Sequence, residues 1–92
     1  MRYIDVKWLH QSPQYPTRLV SEIDSDDYEV RKLEFFQDGH VGFACAAASQ
    51  DGVELGTIAV PSTIEINAME EFEAKEISQA DFETLWDAIA CN

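Results

Sequence analysis

Residues 28–46 read YEVRKLEFFQDGHVGFACA, two β-rich runs on either side of an Asp38-Gly39 pair. Asp-Gly between such runs is a strong short-range hairpin signal. Both central residues of a type I′ turn take positive φ, which Gly adopts freely and Asp tolerates. A two-residue loop here pairs Gln37 with His40, Phe36 with Val41, Phe35 with Gly42, Leu33 with Ala44 and Arg31 with Ala46. Leu33 and Phe35 then share a face with Gly42, Ala44 and Ala46, where low side-chain volume lets a helix lie close. The other face holds Val30, Phe36, Val41 and Phe43, mixed with Lys32 and Glu34. A slip of one residue exchanges the faces, so the reading of the fold hangs on this register.

Working outward, residues 3–10 alternate Ile4, Val6 and Trp8 against Asp5 and Lys7, which predicts a half-buried strand. Residues 11–16, QSPQYP, carry two prolines that cannot donate to a ladder and read as a loop. Residues 17–23 form a second strand, and the turn DSDD at 24–27 feeds the hairpin. Asp51-Gly52 repeats the hairpin signal, which makes residues 53–60 a candidate fifth strand, weakened at Gly56 and stopped by Pro61. Ser62 and Glu65 have the spacing of a capping box and open a short helix reaching about Met69. Residues 72–77 read as a loop or a short edge strand. From Ser78, Phe82, Leu85, Trp86 and Ile89 recur at helical spacing while Asp81, Glu83 and Asp87 point elsewhere. The expectation is an α+β domain, an antiparallel β-meander of four to five strands with one short and one longer helix packed on one face.

The totals restrict function more than they define it. Ninety-two residues make a single domain with a thin core. Eighteen acidic against six basic side chains give a net charge of −12, a field that repels phosphate backbones and anionic lipid heads. Nucleic acid and membrane are therefore not expected partners; a basic protein is. Cys45 and Cys91 have no CxxC spacing and are read as two thiols in a reducing compartment, with a single disulfide between them as the alternative. With no apolar segment near the N-terminus, the expected location is cytoplasmic. No cofactor or metal is expected. Asp24-Ser25-Asp26 lacks the glycine and distal glutamate of a calcium loop, and neither His10, His40 nor Cys45 lies in a catalytic signature.

Trp8 and His10, the run 21–24 (SEID), the run 30–39 (VRKLEFFQDG) and the run 76–86 (EISQADFETLW) together resemble a small bacterial domain family of unknown function. Its members are acidic and about this long. The resemblance spans nearly the whole chain and implies no catalytic residues. Small acidic bacterial proteins of this general type are often immunity proteins encoded beside a secreted toxin, an analogy of size and charge. Barstar-type inhibitors share both but have a parallel sheet, and the chain does not match them.

The candidate partner-binding residues are Glu22, Asp24, Asp26, Asp27 and Glu29 around the turn, with Tyr15 and Tyr28 as aromatic anchors. The competing reading is a solvated turn. A second acidic run, Glu70, Glu71, Glu73 and Glu76, continues toward the last helix, and Trp8 is expected in the core. The function expected is a non-catalytic binding protein, an immunity protein that occludes a basic toxin such as a nuclease. The alternative is a small adaptor or housekeeping domain whose acidity serves solubility.

Overall fold

A computed structural model describes residues 1–50 and 52–90. Its elements are β1 (Arg2–Trp8), β2 (Arg18–Ile23), β3 (Glu29–Phe35), β4 (Val41–Cys45), β5 (Ala48–Gln50), α1 (Thr63–Asn67), β6 (Phe72–Glu76) and α2 (Gln79–Ile89). The strands form one antiparallel sheet in the order β5-β4-β3-β2-β1-β6. The first five run as a meander. The chain then crosses the sheet through residues 52–62 and α1, and lays β6 against β1 at the far edge.

The α+β class and the antiparallel meander are as expected, with six strands rather than four to five. The two helices divide between the faces instead of sharing one. β1 shows why: Tyr3 and Asp5 alternate with Ile4 and Val6, and all four are buried, so both faces need cover. On one side Tyr3, Val20 and Leu33 pack against Phe82 and Trp86 of α2. On the other, Ile4, Val6 and Ile23 pack with Ile66 of α1 and, around it, Val60, Phe72 and Ala74.

The hairpin register differs by one residue from the two-residue reading. Phe35 pairs with Val41, Leu33 with Phe43 and Arg31 with Cys45. The loop has three residues: Phe36 N–H donates to His40 O at 3.0 Å, and Gly39 N–H donates to Phe36 O at 3.1 Å. Gly39 alone of the Asp-Gly pair takes positive φ, at 93°, which suits a three-residue loop and not type I′. Phe43 and Cys45 consequently join Leu33 and Phe35 under α2, Val41 falls on the same face of the sheet, and the small residues Gly42 and Ala44 turn to the other side.

Residues 53–60 do not form the expected strand. Gly56 N–H donates to Glu29 Oε1 at 2.6 Å, and a Cβ at Gly56 would stand 2.9 Å from that oxygen. This close approach holds the segment across the face instead of beside β4. The fifth strand is β5, returned by a two-residue turn at Ala46-Ala47. The Asp51 half of the second Asp-Gly signal and Cys91 lie outside the described residues. Residues 72–77 resolve to the edge strand β6. Both helix starts are capped as their sequences predict, Ser62 with Glu65 in a capping box and Ser78 accepting from Asp81 N–H.

Candidate functional site

The turn after β2 is built by Asp24. Its Oδ1 accepts from Asp26 N–H at 2.9 Å and Tyr28 N–H at 3.0 Å, and its backbone exchanges bonds with Asp27 and Tyr28. Asp27 takes the left-handed conformation at φ 70°, a cost that its backbone contacts hold in place. Asp24 is therefore occupied locally. Asp26, Asp27 and Tyr28 project into solvent, with Asp27 loosely paired to Arg2 at 3.4 Å.

Two of the acids read from sequence are structural. Glu22 is buried beneath α2, where Arg31 Nε and Nη2 donate to its two oxygens at 2.6 and 2.9 Å and the Tyr3 hydroxyl donates at 2.9 Å. The same guanidinium donates to both oxygens of Glu83 on α2, at 2.9 and 2.8 Å, and its carbon lies over the rings of Phe82 and Trp86. Hydrogen bonds from Arg31 hold the Glu22 and Glu83 carboxyls below their ordinary range. Burial raises the Tyr3 phenol, and its bond to Glu22 adds to that shift. Glu29 on the opposite face serves Lys32 Nζ at 3.1 Å, Ser21 Oγ at 3.3 Å and Gly56 N–H.

In place of Glu22 and Glu29, the crossing segment brings residues that sequence reasoning missed. Val60 N–H donates to Asp27 O at 2.7 Å, while Arg2 Nη2 donates to Val60 O and Pro61 O. Residues 56–60 are thus tied alongside residues 27–29, with Ile58, 80% exposed, between the fastenings. A groove of about 660 Å³ runs between Asp27 and α1, lined also by Ile64, Glu65 and Glu76. Ile64 is 82% exposed, on the outer side of α1. Ile58 and Ile64 thus stand exposed on either side of the Val60-Pro61 crossing, Ile64 beside the carboxylates of the groove. The only signal in sequence was the helical phase of Ile64 against buried Ile66.

Tyr15 does not join this surface. It lies in the loop before β2, while the turn follows β2, so the two stand about 20 Å apart along the strand. Its ring sits instead against Trp8, centroids 5.6 Å apart, and near His10.

The exposed charge is lopsided. Arg2, Arg18, Arg31 and Lys32 are each ion-paired within the domain. Lys7 and Lys75 are the only exposed Lys or Arg side chains of the described residues, against eleven exposed carboxylates. Among the described residues no group of three or more His, Cys, Asp or Glu is placed to hold a metal ion. No described helix is long and apolar enough to cross a membrane.

Fold and surface together define a small acidic α+β sheet domain with its carboxylates largely on the outside. The chain belongs to the family described as Domain of unknown function (DUF6881), whose model matches residues 2–91. Comparison with curated proteins and with solved structures gave no match.

Proposed function

We propose that this is a non-catalytic bacterial binding protein of the cytoplasm that neutralises a basic protein partner, a toxin such as a nuclease, by covering its cationic site. The observation that carries the reading is the charge layout. Most cations of the domain are spent on internal pairs, while Asp27, Ile64, Glu65 and Glu76 line one groove whose one lining cation is Arg2, and Asp26, Tyr28 and Ile58 are exposed on the turn and the crossing segment. Exposed carboxylates interspersed with exposed apolar side chains complement a cationic active site, whose phosphate-binding groups the carboxylates would occupy.

Tagged protein is incubated with lysate of its own host and washed at low and then high salt. Retention of a basic, toxin-like protein at low salt, lost from the Asp26→Lys/Asp27→Lys variant, is the expected result. Retention of no basic protein overturns the assignment, and equal retention by the variant overturns the turn as the contact face. The adaptor reading draws on a separate observation: exposed acids also line β6 and α2, at Glu73, Glu76, Asp81 and Asp87, away from any one face.

A further inference from the structure

The face crossed by α1 is not fully covered. α1 has only five residues and lies over Ile4, Val6 and Ile23. Toward the C-terminal end of β1 the sheet opens into a groove of about 470 Å³, within the range of small-ligand sites. Its floor is Leu19 of β2 and Glu34 of β3, which are paired in register.

Aromatic rings stand on both sides. One wall is Trp8 with Tyr15, and the other is Phe36 stacked on His40, centroids 4.2 Å apart and planes 9° from parallel. Both walls are fixed before any ligand arrives. His10 Nε2 bonds Pro16 O at 2.7 Å and its Nδ1 accepts from Ser12 N–H at 3.0 Å, which assigns the Nε2–H tautomer and pins the proline loop carrying Tyr15. Thr17 N–H anchors the end of that loop to Phe35 O at 2.8 Å. Across the groove, His40 Nδ1 is bonded to Asp38 at the hairpin tip.

Glu34 is the chemical centre. Its carboxylate is largely buried, and its one ion-pair contact is Lys32 Nζ at 3.5 Å, a cation already held closer by Glu29. Burial raises its pKa against the lowering by Lys32, so the carboxylate is only partly compensated by a cation that it shares with Glu29. A partly compensated anion in a groove walled by aromatic rings, Trp8 stacked on Phe72 and Phe36 on His40, is an arrangement that attracts an organic cation.

We propose that this groove receives one arginine or lysine side chain of a protein partner, its cation over the rings of Trp8 and Phe36 and its charge against Glu34. That a protein supplies the cation rests on the functional reading above; the cation selectivity of the groove stands on its own geometry. The side-chain class is distinct from the phosphate-mimicking role of Asp26 and Asp27, which lie at the other end of the sheet.

The test is a ¹H–¹⁵N titration of the folded domain with three capped peptides, Gly-Arg-Gly, its neutral citrulline analogue, and a proline-rich peptide without cations. The arginine peptide should shift the Trp8 indole N–H and the amides of Glu34 and Phe36, with citrulline at least about tenfold weaker, the size of a charge-assisted contact. Glu34→Gln should remove that preference while the remaining spectrum stays native, and Asp26→Lys/Asp27→Lys should keep it. Equal shifts from arginine and citrulline, equal shifts from the proline-rich peptide, or an unchanged preference in Glu34→Gln each overturn the proposal. If the peptide preference is lost in Glu34→Gln but partner capture is not, the groove is not part of the partner contact and only this inference falls. Capture that survives Asp26→Lys/Asp27→Lys with the groove titration intact overturns the turn's assigned role alone.

Discussion

Arg31 does the work of several residues. One guanidinium forks to Glu22 on the sheet and Glu83 on α2 while lying on Phe82 and Trp86, so it welds helix to sheet through charge and packing together. Arg31→Met leaves Glu22 buried without its cation. The expected cost is about 3–5 kcal/mol, read as a lower urea midpoint. The sign of the pH dependence follows from Glu22. Its folded pKa lies below the ordinary 4.5, so its stabilisation is complete above that value and is lost as the pH falls through the lowered folded value. Glu22→Gln should therefore flatten the acid limb of stability against pH; an unaltered limb would assign acid unfolding to other carboxylates. Glu34 has the opposite sign, since a raised folded pKa makes its charged form a burden at neutral pH. Glu34→Gln should raise Tm by a few degrees at pH 7, corresponding to about 0.5–1 kcal/mol. A stability gain paired with loss of the arginine preference would mark Glu34 as kept for binding.

At the scale of elements, α1 is too short to persist alone and survives through its fastenings. Its capping box fixes the first turn. At its other end, Asn67 Nδ2 donates to Ala74 O at 2.8 Å while Ala74 N–H donates to Asn67 Oδ1 at 2.6 Å. A side-chain amide thus pairs with the outer backbone of edge strand β6 and blocks it from pairing with another chain. Asn67→Ala should cost about 1–3 kcal/mol and expose that edge, seen as faster amide exchange at Ala74 and concentration-dependent association. Unchanged exchange would show that α1 is held by Ile66 alone. Most elements were legible because their signals are local: alternation in β1, capping spacing at Ser62 and Ser78, and the 3.6-residue period of α2. The hairpin register was not, because Asp-Gly serves both two- and three-residue loops and the choice is made by which of Phe43 or Ala44 fits beneath Trp86. Residues 53–60 were misread for a related reason. Their conformation is set by Glu29, far away in sequence, through a contact that no local pattern announces.

For the whole molecule the unbalanced charge has two opposite consequences that one experiment separates. The eleven exposed carboxylates among the described residues repel one another, and added salt relieves that repulsion. The internal pairs of Arg31 and Lys32 are shielded from solvent and respond less to screening. Stability should therefore rise with salt, with Tm increasing between about 10 mM and 300 mM NaCl, whereas a molecule held mainly by surface ion pairs would lose stability over that range. Association with a basic partner should move the other way. The long-range field that destabilises the free domain is what steers encounter, so kon should fall steeply with the same salt. The candidate surface was only half legible for the same reason that the field was fully so: net charge is a sum over the sequence, but which acids face outward is decided by pairing. Glu22 and Glu29 were absorbed by Arg31 and Lys32, while Ile58 and Ile64 were delivered from a segment read as strand and helix. Stopped-flow binding can tell the turn from the general field. Reversing Asp26 and Asp27 should slow association about as much as raising the salt does, and should also raise koff if they touch the partner. Reversing Asp81 and Asp87 on α2 changes the net charge equally and should slow association without altering koff. If the two double variants behave alike in both rates, the turn has no privileged place in the interface and the acidity acts only as a field.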